Sequence, residues 1–132
     1  MARAPQLMLG VASFLMALGG AMHAAAFNRA AVAIAGSNLP RFFGDCSKAL
    51  WLADSTTMFS LAALFGLIAA KPSAATRPVV MLLALIPAAT GVLIYVFLGS
   101  FFAGHILTAT AILVFFAGVQ LSGGRLEKPT HS

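Results

Sequence analysis

The chain has 132 residues, 61% of them hydrophobic and 8% charged, with a mean hydropathy of +0.98, whereas an average soluble domain carries about 25% charged residues. Eight Lys and Arg stand against three Asp and Glu, for a formal charge of +5, yet they never cluster as a phosphate-binding surface requires, which excludes nucleic acid as a partner. A bilayer-crossing helix takes about 20 apolar residues, so this length accommodates four spans with short loops and excludes most soluble enzymes.

The first apolar run extends from Pro5 to Phe27 and is closed by Asn28-Arg29. Residues 28–49 carry Arg29, Arg41, Asp45 and Lys48 and the turn signal Asn38-Leu39-Pro40; they read as a loop, with room for a short interfacial helix over Ala30 to Ala35. A second span covers 50–70 and ends at Lys71-Pro72. From Pro78 to Leu121 there is no Lys, Arg, Asp or Glu, and a continuous helix of that length would be about twice as long as a bilayer is thick. The chain must therefore fold back, and Gly99-Ser100 is the place, giving spans at 78–98 and 101–121 before a polar tail over 122–132. Pro87 should kink the third span, because proline removes a backbone donor and crowds the preceding turn.

The expected fold is all-α: a polytopic membrane protein, a single domain over 1–132, built as an antiparallel four-transmembrane-helix bundle. Five basic residues (Arg3, Lys71, Arg77, Arg125, Lys128) fall on the side of the termini and three (Arg29, Arg41, Lys48) on the other, so the positive-inside rule puts both termini in the cytoplasm, in a bacterial inner membrane. A cleaved signal peptide ending at Ala24-Ala25-Ala26 is the alternative for the first span. Membrane helices associate through small residues, and these mark the expected inward faces. They are Ala12, Met16, Gly19, Gly20 and His23 on the first helix; Ser55, Ala62, Gly66 and Ala69 on the second; Ala84, Ala88, Gly91 and Tyr95 on the third. On the fourth they are His105, Thr108, Ala109, Ile112 and Phe116.

Ionisable groups inside a membrane are costly and usually face the bundle interior. Three occur, His23, Asp54 and His105, each about one turn inside the same interface in an up-down-up-down arrangement, with Tyr95 at the same level and Trp51 one turn from Asp54. The plain reading is polar glue between helices. Two imidazoles and a carboxylate also match the ligand set of zinc or non-haem iron, which makes His23, Asp54 and His105 a candidate metal site that Met16, Met22 and Met58 would soften towards copper. Haem between His23 and His105, with the Gly19-Gly20 notch and Phe101 and Phe116 against the ring, is a related option. A quinone or lipid-headgroup pocket would use Trp51, Tyr95, Phe101 and Phe102, which equally suit an interfacial aromatic belt. No cofactor is required by the sequence.

Absences narrow the field. The single cysteine, Cys46, excludes an internal disulfide or a Cys-x-x-Cys centre, and no hydrolase, metalloprotease or phosphate-loop motif occurs. There is no glycosylation sequon, and the tail with His131 carries no lipidation signal. The expected function is a structural or accessory subunit of a membrane assembly, in contact with the lipid bilayer and with other membrane subunits or copies of itself. The competing class is a membrane redox or ligand-binding protein using His23, Asp54, Tyr95, His105 and Trp51, and a third is a small oligomeric transporter.

Overall fold

The structure is a computed structural model and describes residues 3–121; the tail read over 122–132, with Arg125, Lys128 and His131, lies outside the described residues. Six α-helices follow one another: α1 (Arg3–Ala25), α2 (Phe27–Ala35), α3 (Arg41–Ala70), α4 (Arg77–Leu83), α5 (Leu85–Leu98) and α6 (Phe102–Gln120). They form four segments long and apolar enough to cross a membrane: Arg3–Ala35, Arg41–Ala70, Arg77–Leu98 and Phe102–Gln120. No strand is present among the described residues.

Residues 28–49, expected as a loop, are mostly helical. Only Gly36 to Pro40 lies outside α-helix, and α3 starts at Arg41, directly after Pro40, whose backbone is extended. The charged residues that suggested a loop are compatible with an exposed helix: Asp45 lies 3.7 Å from Arg41 and 3.4 Å from Lys48, one turn away on either side. At about 1.5 Å per residue the 30 residues of α3 make a rod of about 45 Å, so its first turns overhang the apolar part. Helix α2 packs beside them, with Gly44 buried where a β-carbon would come within 3.2 Å of Ile34 Cγ2.

The third segment is interrupted one turn before Pro87. Helix α4 ends at Leu83, the residue whose carbonyl Pro87 cannot serve, and Ala84 joins it to α5. The reversal between α5 and α6 falls at Gly99, which has φ +69° and ψ −149°, a backbone conformation essentially confined to glycine.

The helices pack in the order α3, α1, α6, then α4 with α5. Contacts run in opposite chain order across the first pair: Ser13 Oγ donates to the Ala62 carbonyl at 2.7 Å, while His23 meets Ser55. Gly66 allows the close approach, since a β-carbon there would sit 3.1 Å from Ser13 Oγ. The core contains Leu9, Ala12 and Met16 of α1, Met58, Ala62 and Phe65 of α3, Val80 of α4, and Leu107, Val114 and Ala117 of α6. On α1, α3 and α5 much of the expected inward face is buried or half-buried. For α6 the expectation is corrected. His105, Ala109, Ile112 and Phe116 are exposed, and the buried face carries Gly104, Leu107, Ala111, Val114 and Gly118, nearly opposite on a helix of about 100° per residue. The reason is steric: α6 lies between α1 and α4/α5, and its glycines admit Tyr95 and Met81, whose atoms would stand 3.0 Å and 2.8 Å from β-carbons at Gly104 and Gly118.

Candidate functional site

The polar residues singled out in the sequence form two clusters. One lies between α1 and α3. His23, in the last turn of α1, stacks on Trp51 with ring centroids 4.3 Å apart and planes at 14°. Trp51 Nε1 donates to the His23 carbonyl at 2.8 Å, so the indole holds both ends of the residue. The Ser55 hydroxyl, one turn further along α3, donates to the Trp51 carbonyl at 3.2 Å and lies 2.9 Å from His23 Nδ1. The Ser55 hydroxyl thus bridges the imidazole of α1 and the backbone of its own helix. His23 Nε2 is left 3.6 Å from Asp54 Oδ2, close enough for an ion pair when protonated but beyond hydrogen-bond length.

The second cluster lies between α5 and α6. Tyr95 Oη is 2.7 Å from His105 Nδ1, and Ser100 Oγ is 3.3 Å from His105 Nε2. Both imidazole nitrogens therefore have partners, and the residue is exposed. His105 does not join His23 and Asp54: among the described residues no three His, Cys, Asp or Glu side chains come together as a metal would need. The three-ligand zinc or iron set is thus not assembled in this arrangement, because His105 is on the side of α6 turned to α5, whereas His23 is turned to α3. The two imidazoles that a bis-histidine haem would use take their hydrogen-bond partners from different helices, Ser55 of α3 and Tyr95 of α5.

Ser55, His23 and Asp54 follow the residue order of a hydrolytic triad, but the geometry does not support acyl transfer. Ser55 is 4% exposed, and the surrounding amides of α3 are engaged in helical hydrogen bonds, leaving no donors for an oxyanion.

What the first cluster does border is a cavity of about 240 Å³ between α1, α3 and α6. His23 and Trp51 form one side, Met16, Gly19 and Met22 the α1 wall, and Met58 the floor from α3. Phe101, just before α6, and Phe102, Ala103, Ile106 and Leu107 of α6 complete the lining. Tyr95 and Asp54 do not line it. Sequence reasoning named Trp51, Tyr95, Phe101 and Phe102 for a pocket, of which Tyr95 does not line it, and put Met16, Gly19 and His23 on one inward side of α1 and Met22 beside a candidate metal without joining them to that pocket. It also missed Ser100, five residues before His105, and Ser55 as the partner of His23. Comparison with protein-family models, curated protein sequences and solved structures gives no match, so the reading of this site rests on its own geometry.

Proposed function

We propose that the chain is a multi-pass integral membrane protein of a bacterial cytoplasmic membrane, with four antiparallel spans and both termini inside, that holds a small lipid-soluble molecule in the cavity between α1, α3 and α6. Placement in the membrane is supported by the four apolar segments and by the large apolar side chains exposed along their outer sides, such as Leu7, Phe14, Leu93 and Phe97. Orientation is supported by five basic residues on the side of the termini against three on the other. The observation that carries the binding reading is the cavity itself: apolar walls with one histidine and one tryptophan, the composition typical of a small-molecule site. Its size, below the range of about 300–1,000 Å³ common for drug-sized ligands, suits a small apolar group.

Trp51 is the sole tryptophan of the chain and lines the cavity, so energy transfer from it reports occupancy. In lipid nanodiscs, titration with the apolar dye N-phenyl-1-naphthylamine should give saturable transfer from Trp51 on top of the linear partitioning signal. Gly19→Leu, which puts a large side chain into the cavity, should leave only the linear part. A purely linear response in the parent protein, or a saturable one unaffected by Gly19→Leu, would overturn the reading.

A second reading, a structural or accessory subunit, is favoured by the outer side of α3. There Ala53, Thr56, Thr57, Ser60 and Ala63 are exposed, and the three hydroxyls bond only to carbonyls one turn back in the same helix. Small and hydroxyl-bearing surfaces are those by which membrane helices associate. Cross-linking in the native membrane through a cysteine at Ala63→Cys, in a Cys46→Ser background, should trap a copy or a partner subunit; a chain that stays monomeric and uncross-linked there contradicts this reading.

A further inference from the structure

The cavity between α1, α3 and α6 ends one helical turn from an exposed cation, and we infer, resting on the binding reading above, that the apolar group it holds is a tail of an anionic phospholipid whose head lies against Arg29. The walls are almost wholly apolar, so the part of a molecule that enters is hydrocarbon, because a polar group there would lose water without gaining a partner. Any charge on the same molecule lies at the mouth. Helix α6, whose first residues Phe102 and Ala103 line the cavity, has 19 residues and a length of about 28 Å, close to the hydrocarbon thickness of a bilayer of about 30 Å. Its start therefore marks the edge of the hydrocarbon, and the cavity lies just inside that edge, next to one layer of headgroups.

Arg29 is the cation at that level. Met16, Gly19, Met22 and Ala26 line the cavity from the α1 side. The Ala26 N–H donates to the Met22 carbonyl and the Ala30 N–H to the Ala26 carbonyl, both at 3.1 Å, so helical pairing continues across the junction of α1 and α2. At about 100° per residue, Arg29 falls about 20° from Met22 and about 60° from Ala26, one turn further along. A helical side chain covers the surface over the turn N-terminal to its own Cα, which for Arg29 is the turn of Met22 and Ala26. Arg29 is exposed and has no carboxylate partner among the described residues: Asp45 stands by Arg41 and Lys48, and Asp54 by His23. An arginine at this depth lays its methylene stem along apolar surface and keeps its guanidinium in the polar layer, where the planar fork fits a phosphate. A tail in the cavity and a phosphate on Arg29 are satisfied together by one anionic phospholipid, whereas a zwitterionic lipid brings the same phosphate with a competing cation beside it.

The test uses the full chain in phosphatidylcholine nanodiscs doped with lipids brominated along the acyl chain, which quench tryptophan on contact, and is read from Trp51 emission. The mole-fraction dependence of quenching by brominated phosphatidylglycerol should give an affinity about fivefold above that of brominated phosphatidylcholine, the order expected of one arginine at an anionic headgroup. Arg29→Gln, at an exposed position, should erase that preference while leaving saturable energy transfer to N-phenyl-1-naphthylamine intact, and Arg29→Lys, which keeps the charge without the fork, should retain part of it. Gly19→Leu, which fills the cavity, should make the two lipids equal. If the two lipids quench alike in the parent chain, or if Arg29→Gln keeps the preference, the inference is wrong while the dye titration still supports the binding reading. If Gly19→Leu leaves the preference in place, the phospholipid lies outside the cavity and the inference is wrong. If the lipids quench alike and the dye response is also linear, the inference and the binding reading fall together.

Discussion

The imidazole of His23 and the indole of Trp51 lie stacked at 4.3 Å, and the same indole donates its N–H to the His23 backbone at 2.8 Å. Two contacts from one side chain fix the last turn of α1 against the middle of α3, and they set the orientation in which His23 borders the cavity. Trp51→Phe keeps a ring for the stack but removes the donor. Because hydrogen bonds between membrane helices average about 0.6 kcal/mol and reach about 1.7, the variant should lose about 1 kcal/mol in unfolding by denaturing detergent. A cycle with His23→Ala should show a coupling of about 0.5–1.5 kcal/mol from the ring pair. Purely additive losses would mean the stack contributes nothing.

The two polar clusters should behave as separate units. Tyr95→Phe and His105→Ala remove the same 2.7 Å contact, so their effects should overlap in the double variant. His23→Ala and His105→Ala, with partners in different helix interfaces, should add to within about 0.3–0.5 kcal/mol, and His105→Ala should leave the saturable energy transfer from Trp51 to N-phenyl-1-naphthylamine unchanged. Strong coupling between the two histidines would restore the single-site arrangement that their depth in the sequence suggested.

Glycine positions on α6 give a steric prediction. At Gly118 a β-carbon would lie 2.8 Å from Met81 Cγ and 3.2 Å from the Met81 backbone nitrogen, so Gly118→Ala must push α4 away and should cost about 1–3 kcal/mol as overpacking does. Gly10, where a β-carbon meets nothing within 4 Å, is the control: Gly10→Ala should be neutral or stabilising by up to about 1 kcal/mol, as helix propensity predicts. Equilibrium unfolding of the two variants side by side decides it.

The reversal at Gly99 is testable in the same assay. Its φ of +69° with ψ −149° is a conformation that a β-carbon opposes on backbone grounds alone, since open space surrounds the position. Gly99→Ala should therefore cost about 1–3 kcal/mol, whereas Ser100→Ala, which removes only the 3.3 Å contact to His105, should cost well under 1 kcal/mol.

The number of apolar segments, the interruption before Pro87 and the reversal at Gly99 were legible in the sequence, because each follows from local chemistry: how many apolar residues run together, which residue lacks an N–H, which one lacks a β-carbon. The overhanging start of α3 was not, since Arg41, Asp45 and Lys48 are as compatible with an exposed helix as with a loop, and only their pairing one turn apart in the folded chain distinguishes the two. Depth along each span put His23, Asp54, Tyr95 and His105 near one level, and periodicity put three of them on small-residue faces. Which helix neighbours which is a property of tertiary packing. With α1 and α6 in the middle of the row, His23 turns to α3 and His105 to α5, and a set that looked like four residues around one point is divided between two interfaces. The same packing order opens the cavity beside His23, because Met16, Trp51 and Phe101 are far apart in the chain and meet only when α1, α3 and α6 come together.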